Sequence, residues 1–167
     1  MGYEGEPSNS ASINANTVRA EKGTGTPGTG NSISIFCRNS GDSIKGVLWD
    51  FSTLNVIANG ITNIGTAETA NTWVKMDFPS APTIEAKDYY IGVIPAATIT
   101  IAYDSGTFAT NSYFFDPSNS YATPETLDGT AYSIYRMGAY CTYTESAGGL
   151  SIPRPLSRPL SGPFGGI

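Results

Sequence analysis

The chain is organised as short runs of alternating apolar and polar residues, separated by glycine, proline and Asn/Asp turn signals. Residues 98–103 and 72–78 hold this period of two most clearly. A period of two is typical of a half-buried β-strand, because successive side chains point to opposite faces of the sheet. Similar strand-like runs occupy residues 17–20, 32–37, 44–51, 55–58, 61–64, 89–94 and 132–143. The pattern therefore predicts an all-β chain.

The dipeptide Asn59-Gly60 lies between two of these runs, residues 55–58 and 61–64. Asn-Gly suits a type I′ turn, in which both central residues have a positive φ. We therefore predict a two-residue hairpin at this point, with the two short runs paired across it.

The connection formed by residues 107–130 is much longer than the two to six residues that usually join strands. Long connections of this kind tend to form binding surfaces or covers over an open core. Two of its aromatic residues, Tyr113 and Tyr121, are therefore candidates for contact with a glycan or another surface.

Eight or more short strands with turn signals at this spacing predict two antiparallel sheets packed as a sandwich, jelly-roll-like in type. A GxGxxG string occurs in residues 23–30, but Pro27 and the strand-like run after it exclude the helix that a dinucleotide site needs. The predicted organisation is an N-terminal arm or edge extension (1–16), a sandwich domain (17–146) and an extended tail (147–167).

Four motifs in a fixed order connect this pattern to known proteins. They follow the strand-like run at residues 44–51 and are Asn71-Thr72-Trp73-Val74-x-Met76, then Thr83-Ile84-Glu85-Ala86-Lys87-Asp88-Tyr89-Tyr90-Ile91-Gly92, then Ile99-x-Ile101-Ala102-Tyr103-Asp104-Ser105-Gly106, and finally Tyr132-Ser133-Ile134-Tyr135 with Tyr140-x-Thr142-Tyr143. This order resembles a β-sandwich module of phage virion structural proteins and microbial surface proteins, over about residues 30–144. The resemblance implies a sandwich that serves as a virion decoration, a fibre part or a carbohydrate binder. The tail lies outside the resemblance.

The tail carries the tandem repeat Arg-Pro-Leu-Ser at residues 154–157 and 158–161. Its prolines fix φ near −65° and remove backbone donors, so an extended, polyproline-like path is favoured over a helix or a central strand. A flexible linker would be polar, whereas this tail is apolar at regular intervals. The residues expected to contact a neighbouring subunit are Leu150, Ile152, Arg154, Leu156, Arg158, Leu160 and Phe164. The alternative is a disordered terminus.

Charge separates the tail from the body, which we define as residues 1–146. The body holds seven basic and fourteen acidic residues, a net charge of −7, and the tail adds +2 through Arg154 and Arg158. A neighbour's body therefore attracts the tail. Nucleic acid is excluded as a partner, because phosphate binding needs clustered Lys and Arg.

Composition indicates a protein of a virion or of the extracellular space. Charged residues make up only 14% of the chain, and Ser, Thr, Asn, Gly and Tyr are abundant. No stretch approaches the eighteen or so apolar residues of a membrane span, so we expect no membrane partner. The first residues also lack the basic and apolar regions of a secretory signal.

The residue types present leave little room for catalysis. The chain has no histidine, which excludes His-based triads and His metal sites. A pair of carboxylates acting as a glycosidase is the remaining route, and we predict no enzyme. Asp104, Asp116 and Asp128, in loops rich in Gly, Ser and Asn, are weak candidates for calcium ligands. Acids that only form turns are the alternative, and no other cofactor is expected.

The two cysteines, Cys37 and Cys141, both fall on the apolar phase of predicted strands near the two ends of the body. In a sandwich whose first and last strands are neighbours they are candidates for a disulfide. Two buried thiols acting as small hydrophobic groups are the alternative.

These expectations combine into one functional hypothesis. The protein is a non-enzymatic structural component that assembles on or into a multimeric particle, with its tail docked on a neighbouring subunit. Its partners are copies of itself, or a capsid or filament protein. The alternatives are a carbohydrate-binding module that contacts a surface glycan and an extracellular filament subunit.

Overall fold

The computed structural model describes residues 1–41 and 43–146. These residues form an all-β sandwich of two antiparallel sheets, which confirms the predicted fold class. Within them, no helix is long and apolar enough to cross a membrane. The tail lies outside the described residues, and so do its predicted contact residues Leu150, Ile152, Arg154, Leu156, Arg158, Leu160 and Phe164.

The described residues contain fourteen strands. The larger sheet, sheet A, contains β1 (Gly2–Tyr3), β2 (Asn9–Ile13), β4 (Gly28–Cys37), β7 (Thr72–Asp77), β8 (Thr83–Ile84), β10 (Ile99–Ser105), β13 (Tyr135–Met137) and β14 (Ala139–Glu145). The smaller sheet, sheet B, contains β3 (Val18–Thr24), β5 (Ser43–Asp50), β6 (Val56–Thr66), β9 (Asp88–Pro95), β11 (Tyr113–Asp116) and β12 (Thr130–Tyr132). Sheet B runs in the order β12-β11-β3-β9-β5-β6.

Within the first sixteen residues, which the sequence predicts to be an arm or edge extension, two short strands pair with sheet A. β1 pairs with β14, and β2 pairs with β10 along five residues, from Asn9 to Ile13. Ile13 at the end of β2 is buried in the core. Small polar residues fill most of β2, so the hydrophobic alternation that predicts a strand is weak there.

The predicted hairpin at Asn59-Gly60 is wrong, because both residues lie within the single long strand β6. The turn that joins β5 to β6 is formed instead by residues 51–55, where the Asp50 carboxylate accepts the backbone N–H groups of Ser52 and Thr53. Asn59 still has a positive φ of 59°. A shift in register between the two strands absorbs it as a bulge, so the left-handed residue bends a strand rather than reversing it.

Two layers of apolar side chains hold the sandwich together. The main core lies between the sheets and includes Ile33, Ile35 and Ile91. A second cluster, which we call the outer core, covers the outer face of sheet B and includes Trp49 and Leu127. The long connection supplies Leu127 and also accepts the Trp49 indole N–H at the Glu125 carbonyl, 2.8 Å away. Part of the long connection is therefore a cover over an apolar sheet face.

The chain turns sharply between β13 and β14, the last two strands of the body. β13 pairs with β10, and β14 pairs with β4. Gly138 stands at the bend, where a Cβ would lie 3.0 Å from both Phe36 and Pro7. The absence of a side chain at this position therefore permits the close approach of the neighbouring segments.

The two cysteines are buried and free, so the candidate disulfide is wrong. Cys141 pairs in register with Ile33, and Cys37 lies four residues further along β4. Four residues of strand span about 13 Å, well beyond the roughly 7 Å at which Cα atoms can be bridged. Burial raises the pKa of both thiols to about 12. Each cysteine therefore acts as a small hydrophobic residue in the core.

Candidate functional site

A cleft opens between the two sheets at one end of the sandwich, with a volume of about 310 Å³. Sheet A lines it with Ala11, Ile101, Tyr103 and Tyr135, and sheet B lines it with Arg19, Tyr113, Phe115 and Tyr132. We call this the tyrosine cleft. Ligand pockets usually measure about 300–1,000 Å³, so the cleft is at the small end of that range.

Strand pairing sets the wall that sheet B contributes. β11 lies between β3 and β12, and its register places Tyr113 opposite Tyr132 and Phe115 opposite Arg19. Alternation along β11 sends Tyr113 and Phe115 towards the cleft, while Phe114 joins the outer core. The wall is therefore fixed by backbone hydrogen bonds on both sides of β11.

The tyrosine rings of the cleft contact one another across the two sheets. The ring of Tyr135 lies 5.5 Å from those of Tyr103 and Tyr113 and 5.9 Å from that of Tyr132, all three edge-on. Aromatic pairs in this arrangement contribute about 0.5–1.5 kcal/mol each beyond their burial. The ring faces of the cleft are consequently held in place before any ligand arrives.

Arg19 brings a positive charge into this aromatic wall. Its guanidinium lies 4.2 Å from the centroid of the Phe115 ring and donates a hydrogen bond to the Tyr113 hydroxyl. Its buried Nε has no hydrogen-bond partner. Across residues 1–41 and 43–146, the ion pairs involve other residues and leave Arg19 without a carboxylate. The guanidinium is therefore available to an acceptor that enters the cleft.

The tyrosine hydroxyls add further donors. Burial raises the pKa of Tyr113 to about 12, although Arg19 opposes that shift. The hydroxyls of Tyr103, Tyr132 and Tyr135 make no hydrogen bond to any described residue. A neutral phenol can donate as well as accept, so the cleft combines flat apolar faces with several unused donors.

No protein-family model, curated protein or solved structure matches this chain. The geometry of the described residues therefore has to support any functional proposal by itself.

The structure does not bring the two predicted glycan-contact residues together. Tyr113 is only 3% exposed and forms part of the cleft wall between the sheets. Tyr121 packs on the outer core of sheet B, with the Lys45 ammonium 4.6 Å from its ring centroid. Its hydroxyl is buried. An exposed aromatic surface made of these two residues is therefore absent from the described part of the chain.

The three candidate calcium ligands do not form a metal site within the described residues. Asp104 on β10 accepts hydrogen bonds from Ser8 and lies 3.7 Å from Arg136. Asp116 is fully buried and accepts from the Ser118 and Asp128 backbone N–H groups. Within the described residues, no group of three acidic, Cys or His residues is arranged to hold a metal ion. Asp116 thus organises its loop, as a turn-forming acid does.

Sequence reasoning missed the tyrosine cleft because its residues come from six separate strands. One local signal exists, since Tyr132 and Tyr135 are three residues apart and so break the strand period of two. The break marks the place where the chain leaves sheet B and enters sheet A. Arg19 offers no such signal, as it is a single basic residue in an ordinary strand.

Proposed function

We propose that this protein is a non-enzymatic structural subunit of a multimeric particle, of virion decoration or fibre type. The sandwich is its rigid body, and the tail connects that body to a neighbouring copy. One observation carries the proposal. The described core runs from Ile13 to Cys141, and the body closes at Ser146, whose N–H donates to the Pro27 carbonyl.

Because the sandwich is already closed, the apolar residues of the tail are additional to its fold. Each of Leu150, Ile152, Leu156, Leu160 and Phe164 contributes about 1.5–3 kcal/mol when fully buried. Three or four of them exceed the ordering cost of a segment whose φ angles are already limited by proline. Burial against another subunit therefore gives this segment a stable position.

Charge supports the same arrangement. The body has a net charge of −7 and the tail a net charge of +2. Arg154 and Arg158 then pair with acidic side chains of the neighbour, while bodies of equal charge repel and do not associate without the tail. We propose a virion or an extracellular lattice as the setting, with a capsid or filament protein as a further partner. In this proposal the protein binds no nucleic acid, membrane or cofactor and catalyses no reaction.

The test is the mass of the protein in solution. The full-length chain is expected to sediment as a multiple of its 17.6 kDa monomer. The double variant Leu156→Ser with Leu160→Ser is expected to shift towards the monomer at equal concentration, since it loses apolar area and keeps every proline. Ser157→Ala with Ser161→Ala is the matched control and keeps the wild-type mass. A wild-type chain that is monomeric at every concentration overturns the proposal.

A carbohydrate-binding module is the second candidate, and the tyrosine cleft favours it. Ring faces beside free hydroxyls suit a sugar as well as a peptide. A glycan array tests this candidate, with Tyr132→Ala as the cleft variant and Tyr121→Ala as the control on the outer face of sheet B. Saturable binding that only the cleft variant loses supports it, and the absence of any hit rejects it.

A further inference from the structure

We infer that the tyrosine cleft is the acceptor for the tail of a second copy of this chain, with one Pro-Leu pair of the repeat seated in it. The inference rests on the proposed function and adds the place where the tail binds. The two candidate pairs are Pro155-Leu156 and Pro159-Leu160.

The chemistry of the two partners is complementary. A polyproline-like segment has no internal hydrogen bonds, so its carbonyl groups need donors, and proline has no N–H of its own. The cleft supplies donors from Arg19 and from the hydroxyls of Tyr103, Tyr132 and Tyr135. Its ring faces match the flat proline ring, as in other aromatic grooves that bind proline-rich segments.

Size limits the occupant to a short stretch. A cleft of about 310 Å³ is at the small end for ligand pockets and suits two adjacent side chains. The Arg-Pro-Leu-Ser repeat offers the same pair twice, four residues apart. Four residues of polyproline helix span about 12 Å, so only one repeat occupies the cleft at a time. The second repeat then serves as an alternative register.

The course of the chain favours a neighbour's cleft over the chain's own cleft. Tyr135 lies in the cleft, and ten residues later Glu145 ends β14 beside Pro27. The chain turns at Gly138 between these two points, so their separation is set by β4, where Gly28 pairs with Glu145 and Cys37 pairs with Ile101 of the cleft. Nine residues of strand span about 30 Å, so the tail leaves the body far from its own cleft. The ten residues from Ser146 to Leu156 span about 31 Å in polyproline geometry. Pro155-Leu156 reaches the cleft of the same chain only by a full reversal without slack, whereas a neighbour placed ahead requires no reversal.

Two kinds of variant, each in the full-length chain, test the inference. Ala11→Phe fills the cleft from β2, and Ser12→Phe places the same ring on the exposed face of that strand as a control. Ala11→Phe is expected to weaken self-association by about tenfold or more, as loss of a central contact does. Ser12→Phe retains wild-type association. Thermal melting confirms that each variant is folded, and Tyr132→Ser replaces Ala11→Phe if the latter is unfolded.

Mixing provides the decisive measurement. The Ala11→Phe chain has a usable tail and a blocked cleft, whereas the double Leu156→Ser, Leu160→Ser chain has an open cleft and an altered tail. Each alone is expected to be monomeric, and an equimolar mixture is expected to form a heterodimer and nothing larger. Only a head-to-tail contact between the tail and the cleft gives this result.

The remaining outcomes separate this inference from the proposed function. If Ala11→Phe assembles like the wild-type chain, the tail binds elsewhere, and the inference fails while the proposed function stands. If the wild-type chain is monomeric throughout, both fail. If the cleft variants change only glycan binding and leave assembly intact, the cleft is a sugar site and the inference is overturned.

Discussion

A buried carboxyl group gives the sharpest test of the fold. Glu21 on β3 points into the space between the sheets, is 4% exposed, and accepts the Met137 N–H at 2.9 Å. Burial raises its pKa from an ordinary value of 4.5 to about 8, with the Met137 hydrogen bond and the charge of Arg136 opposing the shift. The native protein therefore holds a proton on Glu21 at neutral pH that the unfolded chain has released.

The sign of the effect follows from linkage. The folded-state pKa of Glu21 lies above the unfolded value, so its stabilising contribution is complete below about pH 4.5 and is lost as the pH rises to about 8. Each pKa unit corresponds to about 1.4 kcal/mol, and the shift therefore lowers the free energy of unfolding by about 3–5 kcal/mol. Because the chain has no histidine, no imidazole titrates in this interval.

Urea unfolding at about pH 5 and about pH 9 measures this difference. The wild-type protein is expected to lose several kcal/mol between the two conditions. Glu21→Gln is expected to abolish most of that loss and to exceed the wild-type stability at the higher pH, because burying a neutral amide costs far less than burying a charged carboxylate. The exposed residue Glu68 supplies the control, because Glu68→Gln is expected to keep the wild-type dependence of unfolding free energy on pH. A wild-type stability that stays level or rises over this interval refutes the reasoning.

Two further predictions concern the cover on sheet B and the cysteines. Asp116→Ala leaves several loop donors without their acceptor and is expected to cost about 3 kcal/mol in urea unfolding, with new proteolytic cleavage within residues 117–129. The control Asp128→Ala removes an exposed side chain, and equal protease resistance of both variants contradicts the assigned role. Cys37 and Cys141 are expected to stay unreactive towards thiol reagents until the protein unfolds, and an oxidised sample is expected to keep both thiols by mass spectrometry. The appearance of an intramolecular disulfide in the native protein rejects the strand register.

Local alternation was enough to predict the fold class and most strand positions. Residues 72–78 and 98–103 alternate because one face of each strand is buried, and both appear as β7 and β10. The hairpin failed because a left-handed Asn59 is compatible with either a turn or a bulge. The structure has the bulge because the Asp50 carboxylate stabilises a different turn, at residues 51–55, a few residues earlier.

The candidate site depended on contacts that sequence spacing does not contain. Tyr113 lies in a segment that reads as a loop, yet it pairs in β11 with Glu21, about ninety residues earlier. Sequence spacing could not place Arg19 beside Phe115 either, because their strands meet only through sheet topology. The burial of Tyr113 and the aromatic wall around Arg19 thus follow from non-local pairing rather than from local propensity.

The pairing of β14 with β4 also has a consequence for biogenesis. The middle strand of sheet A, β4, pairs with β14 only after the intervening residues have been translated. A hydrogen bond from the Met1 amino group to the Cys141 carbonyl also joins positions 140 residues apart. Contacts this distant make folding slow, on a scale of milliseconds to seconds. Until β14 arrives, one edge of β4 stays open to pairing with foreign strands. Premature termination before residue 139 leaves this edge of β4 unpaired and is therefore expected to yield aggregates, which sedimentation of the truncated chain measures.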